Sequence, residues 1–144
     1  MVDRLFWRVF GAGTQAHVLG YRLSHGLVGH RVPGAPPSLL LDHVGARTGK
    51  RRTTPLAYLS DGDAHVIVAS KGGHPKHPAW FHNLRANPDT TIQVGSRRIP
   101  VHARVAEPEE RARLWPRVVD MYSGFAAYQR RTDREIPLVI LESR

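Results

Sequence analysis

Apolar residues recur at two spacings along this chain, and the spacing changes about a quarter of the way along. In the first part they recur every three or four positions, as at Leu5 and Val9, which predicts a helix over residues 3–28. Later they form short runs bounded by turn residues, which is typical of strands. We therefore predict a helical segment with a linker over residues 1–37 and a β domain over residues 38–144. Together they form one domain, because 144 residues suffice for a single core.

The short apolar runs predict six strands joined mainly by hairpins. Asp61-Gly62 and Gly95-Ser96 each separate two runs, and both pairs are typical of tight hairpin turns because glycine accepts a positive φ. Strands linked in this way pair antiparallel, so we expect a mainly β (α+β) fold, an antiparallel barrel with peripheral helices. The strands are predicted over residues 39–44, 53–59, 65–70, 91–94, 97–105 and 136–141.

Two further helices are predicted between and after these strands. One begins at Pro78, a residue tolerated in the first helical turn, and ends at Asn87, before a proline that cannot continue it. The other begins at Pro108. We expect Pro116 to kink or restart it, since an interior proline costs about 3 kcal/mol.

The composition narrows the classes of function. The chain has no cysteine, which excludes disulfides, thiolate nucleophiles and cysteine-ligated zinc. Its net charge is +9, and arginine supplies 18 of the 21 basic side chains. This excess indicates an acidic partner such as nucleic acid, an anionic membrane or a phosphorylated or carboxylated small molecule. Codon bias in a GC-rich genome is the alternative explanation for so much arginine.

The basic residues are concentrated in two places in the predicted sheet region. Arg47, Lys50, Arg51 and Arg52 lie in and beside a glycine-rich turn, where arginine forks and backbone N–H groups can hold a phosphate. Lys71 and Lys76 lie in a loop between a strand end and a helix start, a second place suited to an anion. A solvated hairpin tip is the simpler alternative for the first cluster.

The N-terminal segment leaves two interpretations open. It contains no apolar run of the roughly 20 residues that a membrane span needs, so we expect a cytoplasmic protein. Its helix could pack on the core. Alternatively, Phe6 and Trp7 between Arg4 and Arg8 could lie on a membrane surface and give peripheral membrane association.

Few residues are arranged for acid–base or metal chemistry. The spacing of His74, His77 and His82 matches no helix-borne metal pair and no acid joins them, so we predict no metal site. No nucleophile-elbow pattern and no G-x-G-x-x-G after a strand occur. A chain with few acid–base groups and strong anion sites is typical of a protein that holds a cofactor with its own chemistry.

Three aromatic residues, Tyr122, Phe125 and Tyr128, recur at every third position around Gly124. They could pack in the core. They could also form a wall over a planar ligand, with the tyrosine hydroxyls donating a hydrogen bond or a proton.

Several ordered blocks of the chain resemble the deazaflavin (coenzyme F420)-dependent nitroreductase family. The resemblance runs from about Tyr21 to Leu141. The blocks are Gly45-x-x-Thr-Gly-x-x-Arg52, Val68-Ala-Ser-Lys-Gly-Gly73, Pro78-x-Trp80-x-x-Asn83-Leu84-x-Ala-Asn87-Pro88, and Tyr122 followed by Thr132-Asp133-Arg134-x-Ile136-Pro137.

This resemblance implies a split β-barrel that passes a hydride from the reduced deazaflavin coenzyme to a small acceptor. It also implies the residues around the coenzyme, whose phosphate and oligoglutamate tail would meet the basic clusters. The phosphate side would be held by Arg47, Thr48, Arg52, Thr53, Thr54, Pro55 and Leu56. The deazaflavin side would be held by Ala69, Ser70, Lys71, Ala79, Trp80 and Asn83.

The acceptor pocket implied by the resemblance comprises Ala57, Tyr122, Phe125 and Tyr128, with Ser70, Tyr122 or Tyr128 hydrogen-bonding the acceptor. Ala57 and Phe125 stand where the prodrug-reducing members carry an aromatic residue and a tyrosine. Both departures lie in the acceptor pocket and neither touches the anion site. The candidate acceptors are quinones, enones and nitro compounds, with coenzyme F420 as the cofactor, and the two departures count against nitroimidazoles.

Two alternatives belong to other classes. A small basic barrel could bind nucleic acid, but the aromatic residues lie in helices, away from the arginines of the strands, so we do not expect a nucleic-acid partner. A split barrel could also bind flavin or haem. The sequence does not determine the oligomeric state.

Overall fold

Six antiparallel strands close into one barrel, which confirms the predicted fold class. The computed structural model describes residues 16, 18–22, 24 and 36–144. Around the barrel the order is β1-β2-β3-β6-β5-β4, and β4 returns to pair with β1. The strands are β1 (Ser38–Val44), β2 (Arg51–Asp61), β3 (Ala64–Val68), β4 (Asp89–Val94), β5 (Arg97–Val105) and β6 (Leu138–Ser143).

Alternate residues of each strand fill the barrel interior. Leu41 stands opposite Ile92, Ile67 opposite Val139, and all four side chains are buried. One end of the barrel is closed by α1 (Ala79–Ala86), an amphipathic helix whose apolar residues join this core. They are Trp80, Phe81 and Leu84.

Two other helices cover the outer face of β2, β3 and β6. They are α2 (Pro108–Met121) and α3 (Gly124–Arg130). Leu114, Val118 and Phe125 pack there in one buried cluster with outward residues of β3 and β6. No helix was predicted over residues 124–130. With only seven residues, α3 is too short for a clear periodicity.

Pro116 was predicted to kink or restart its helix. The restart does not occur, because α2 runs as a single helix from Pro108 to Met121. Pro116 lacks the N–H that would bond the carbonyl of Ala112, but both residues are exposed and water can satisfy that carbonyl. A capping box formed by Glu107 and Glu110 fixes the start of the helix.

Several strand boundaries differ from the prediction by one or two residues. β2 begins two residues earlier, at Arg51. β3 ends at Val68, so Ala69 and Ser70 lie beyond it. β6 begins two residues later than predicted because Ile136, although buried, donates its N–H to Gln129 Oε1 at 2.9 Å instead of to a strand.

The described part of the N-terminal segment packs on the barrel. Residue 16 and residues 18–22 are helical, and the buried Val18 and Tyr21 contact Leu40 on the outer face of β1. The Tyr21 hydroxyl accepts the Gly95 N–H at 2.7 Å and lies 3.1 Å from the carbonyl oxygen of Ser38. The rest of the predicted helix, with Phe6 and Trp7, lies outside the described residues. Within the described residues, no helix is long and apolar enough to span a membrane.

We predict that Tyr21→Phe lowers the free energy of unfolding by about 1–3 kcal/mol, because the Gly95 N–H loses its acceptor. Urea unfolding measures this. Leu19→Ala is the matched control on the same helix, since Leu19 is 59% exposed. It should change the free energy by less than about 0.5 kcal/mol. Equal effects of the two substitutions would contradict the prediction.

Candidate functional site

The hairpin between β1 and β2 carries cations that have no acidic partner among the described residues. Several arginines elsewhere are paired with acids: Arg113 and Arg117, for example, both contact Asp61 at 3.0 Å. The hairpin therefore concentrates uncompensated positive charge at one end of the barrel, where it attracts anions. We call residues 45–52 the cationic hairpin; its basic side chains, all exposed, are Arg47, Lys50, Arg51 and Arg52.

The backbone of the cationic hairpin is held tightly. Gly45 donates its N–H to the Lys50 carbonyl at 2.9 Å, and Gly49 donates to the Gly45 carbonyl at 2.9 Å. Gly49 has a φ of +68°, which glycine adopts without strain. Ala46 donates its N–H to Asn83 Oδ1 at 2.9 Å, so the hairpin is fastened to α1.

The first half of β2 has no strand partner on one side within the described residues. β2 pairs with β1 along residues 51–57, but its pairs with β3 begin only at Tyr58. The Tyr58 N–H bonds the Pro37 carbonyl, on the β1 side, at 3.1 Å. By alternation, the backbone groups of Thr53 and Pro55 face the opposite side. Pro55 fits there, since proline has no N–H to pair.

We call this side of residues 51–56 the β2 edge. It begins at the cationic hairpin and ends beside Ala69, the residue that follows β3. A strand edge without a partner, next to exposed cations, is a place where an extended anionic ligand could bind.

A chain of polar contacts links the hairpin, α1 and β2. Asn83 Nδ2 lies 3.0 Å from His43 Nδ1, and His43 Nε2 lies 2.9 Å from Thr54 Oγ1. His43 is 5% exposed. Burial lowers the pKa of His43, and the Arg52 cation lowers it further. His43 was not predicted as a site residue, and its only signal was a histidine at an inward position of a strand.

Beyond β3 the chain makes a left-handed turn. The φ angles of Lys71, Gly72 and Gly73 are +44°, +62° and +82°. A side chain at Gly73 would lie 2.6 Å from the Tyr128 carbonyl oxygen, so glycine permits the turn to pack against α3. The aromatic residues of α3 are thereby brought next to residues 69–73, which we call the 69–73 turn.

Arg134 holds the 69–73 turn and the loop after it. Its guanidinium donates to the carbonyl oxygens of Ser70 at 2.8 Å, Ala69 at 3.2 Å and His74 at 2.9 Å. It also lies 3.0 Å from His77 Nδ1. Burial lowers the pKa of His77, and Arg134 lowers it further, so His77 stays neutral and accepts this bond. No role was predicted for Arg134, although it belongs to one of the blocks that carry the resemblance.

The three aromatic residues of the predicted acceptor pocket lie together. The Tyr122 and Tyr128 hydroxyl oxygens are 3.4 Å apart, and Phe125 packs edge-on against both rings. Phe125 is buried, whereas Tyr122 is 39% exposed. Ala57 and Tyr128 pack against the same buried cluster, so the predicted pocket residues share one region.

The residues predicted to bind the coenzyme differ in how far their side chains are exposed, and those at residues 53–56 of β2 are half-buried. Of the β2 residues, Thr54 and Leu56 face the interior side with Leu41, whereas Thr53 and Pro55 face outward. The Thr53 hydroxyl donates a hydrogen bond to Asp42 Oδ1 at 2.7 Å. The exposed residues are Arg47, Thr48, Arg52, Lys71 and Ala79, and the buried ones are Ala69, Ser70, Trp80 and Asn83. Their contacts with a coenzyme stay predictions.

A family model described as F420H(2)-dependent quinone reductase matches residues 14–143 of the chain. The chain belongs to this family. An F420H(2)-dependent quinone reductase of Mycobacterium tuberculosis (strain H37Rv) is 52% identical over 127 residues, which cover 86% of this chain and 85% of the relative.

Two solved structures are also similar to this member of the F420H(2)-dependent quinone reductase family. An F420-H2 dependent reductase, FDR-A, has 43% sequence identity and a TM-score of 0.68, covering 74% of this chain and 94% of its own. A structure described as a domain-swapped dimer has 37% identity and a TM-score of 0.70, covering 89% of this chain and 93% of its own.

Family membership confirms the prediction of an oxidoreductase with coenzyme F420 as its cofactor. The described site fits an anionic coenzyme: within the described residues, the cationic hairpin adjoins a strand edge without a partner, and no acid neutralises its charges. Among the described residues, no group of three or more His, Asp or Glu side chains could hold a metal ion.

We predict that Arg134→Lys loosens the 69–73 turn and lowers the free energy of unfolding by about 1.5–3 kcal/mol, since one ammonium cannot satisfy three carbonyl groups and His77. Amide hydrogen exchange should accelerate across residues 70–77. Arg130→Lys, an exposed arginine on α3, is the matched control and should leave this exchange unchanged. Unchanged exchange in Arg134→Lys would contradict the prediction.

Proposed function

We propose that this chain transfers a hydride from reduced coenzyme F420 to a quinone-type acceptor. The observation that carries the proposal is that the cationic hairpin, with its four exposed basic side chains, adjoins the β2 edge in a chain of this family. The relative from M. tuberculosis is named a quinone reductase, which favours a quinone over an enone or a nitro compound as the acceptor. The coenzyme, when bound, supplies the hydride. The protein must therefore bind and orient the coenzyme and the acceptor and exclude water from them.

The anionic part of the coenzyme lies against the cationic hairpin in this proposal. Arg47 and Arg52 flank the turn, and Thr48 is exposed at its tip. Arginine binds a phosphate oxygen pair through two parallel N–H bonds, an interaction stronger than a neutral hydrogen bond. With no acid of the described chain to neutralise them, these side chains are available for a ligand.

The ring system lies between the 69–73 turn and α1. Lys71 and Ala79 are the exposed residues there, and Ser70 and Trp80 form the buried wall behind them. Arg134 positions this wall by holding the carbonyl groups of Ala69 and Ser70 from behind.

The tyrosine hydroxyls of the aromatic region are donors for the acceptor. A quinone carbonyl oxygen gains negative charge as it receives a hydride, and a nearby O–H stabilises that charge. The hydrogen bond with Tyr122 raises the pKa of Tyr128, and burial raises it further, so its hydroxyl keeps its proton at neutral pH. Tyr122, 39% exposed, presents its hydroxyl at the rim.

The small side chain of Ala57 and the apolar ring of Phe125 shape this region for a flat acceptor. An aromatic side chain at residue 57 would fill space that the alanine leaves. We infer that a quinone ring stacks here, with one carbonyl oxygen toward Tyr122 or Tyr128.

Titration of the purified protein with coenzyme F420, followed by the coenzyme's fluorescence, tests the binding part of the proposal. We predict saturable binding below tens of micromolar, together with oxidation of the reduced coenzyme when a soluble quinone is added. Absence of binding at that concentration would contradict the proposal. Binding of the coenzyme without turnover of any quinone would contradict only the proposal that the acceptor is a quinone.

Variants locate the binding energy in the same titration. Arg52→Ala should raise the dissociation constant by about 10- to 100-fold, the loss expected for a charge-assisted contact. Arg117→Ala is the matched control, because Arg117 is an exposed arginine already paired with Asp61. Its dissociation constant should stay within about twofold of the unaltered protein. An unchanged value for Arg52→Ala would remove Arg52 from the site.

A further inference from the structure

The contacts between the cationic hairpin and β2 have a fixed direction. The Ala46 backbone N–H can only donate, so Asn83 Oδ1 is an acceptor at 2.9 Å. The other amide atom of Asn83 is therefore Nδ2, a donor, and it faces His43 Nδ1 at 3.0 Å. The assignment of the two amide atoms thus follows from a backbone group and not from a choice of side-chain orientation.

The direction continues through the imidazole of His43. Because Nδ1 accepts from Asn83, the ring is neutral and carries its proton on Nε2. Nε2 then donates to Thr54 Oγ1, which lies 2.9 Å away. Burial and the nearby Arg52 cation both lower the pKa of His43, which is consistent with a neutral ring at pH 7.

The Thr54 hydroxyl ends this chain of bonds. It accepts from His43, so its own hydrogen must point to another acceptor. Within the described residues, the only hydrogen-bond partner of this hydroxyl is His43. Thr54 is half-buried, and Arg52, two residues earlier, lies on the same side of the strand.

We propose that His43 is a positioning residue that fixes the Thr54 hydroxyl as a hydrogen-bond donor to an anionic oxygen of the coenzyme, beside Arg52. This inference rests on the proposed function. Arg52 contributes charge that acts in every direction, whereas Thr54 contributes a donor in one direction. The same relay fastens the cationic hairpin to α1 through Asn83, so the position of the hairpin and the direction of the donor are coupled.

Acid breaks the relay at His43. A protonated ring carries hydrogen on both nitrogens, so Nδ1–H would face the N–H of Asn83. Turning the Asn83 amide over would then set its NH2 group against the Ala46 N–H. The charged groups near His43 are Arg52 on β2, which opposes protonation, and Asp42 on β1, which favours it. The relay is therefore complete above the ordinary histidine pKa and is lost as pH falls through the lowered pKa of His43.

The test measures coenzyme affinity by fluorescence between pH 5 and pH 8 for the unaltered protein and three variants. Thr54→Val removes the hydroxyl at nearly constant volume and should raise the dissociation constant about 10-fold at pH 7.5. Thr54→Ser keeps the hydroxyl and should restore most of the affinity. His43→Gln has no titrating group at residue 43. The ratio of its dissociation constant to that of the unaltered protein should therefore exceed one at pH 7.5 and fall toward one in acid, where the unaltered protein also loses the relay. Protonation of the coenzyme cancels in this ratio.

A second measurement reads the relay without any ligand. Nitrogen-15 chemical shifts of the His43 ring at pH 7.5 should show a neutral ring with its proton on Nε2. A proton on Nδ1, a charged ring, or equal affinities for Thr54→Ser and Thr54→Val would overturn the relay while coenzyme binding stands. Absence of coenzyme binding by the unaltered protein would overturn the proposed function, and this inference with it.

Discussion

β2 is longer than the strand beside it, and this mismatch shapes the functional side of the molecule. β2 has 11 residues and β3 has five, so the first half of β2 extends past its neighbour. Closing the barrel at the other strands leaves that half paired with β1 alone within the described chain. The cationic hairpin lies at one end of the β2 edge, and the 69–73 turn lies at the other end of this edge. The placement of both follows from one difference in strand length.

Charge is distributed to match this geometry. Most acids of the described chain are used by arginines away from the hairpin, as Asp61 is by Arg113 and Arg117. Such exposed pairs stabilise little on their own, but they neutralise part of the positive charge on the rest of the surface. The four cations of the cationic hairpin, which have no acidic partner among the described residues, keep their attraction for an anion. An arginine-rich composition becomes a local site because the acids are elsewhere.

The local pattern of the sequence was sufficient for the barrel, the tight hairpins, the helices α1 and α2, and the location of the free cations. It was insufficient where contacts join distant residues. Asn83 and His43 are 40 positions apart, and Arg134 and Ser70 are 64 apart, so no periodicity reveals either contact. It also failed where a side chain replaces a strand partner, as Gln129 does for Ile136. The parts that organise the site were the ones that a local pattern cannot show.

In this proposal the coenzyme binds along the β2 edge and the cationic hairpin. Amide hydrogen exchange by NMR, with and without coenzyme F420, tests this placement. We predict slower exchange for the N–H groups of Thr53, Arg47 and Thr48 when the coenzyme is bound. We predict unchanged exchange for exposed residues at the start of α2, the helix that covers the outer face of the barrel. Slower exchange elsewhere, with no change at Thr53 and the hairpin, would contradict this placement.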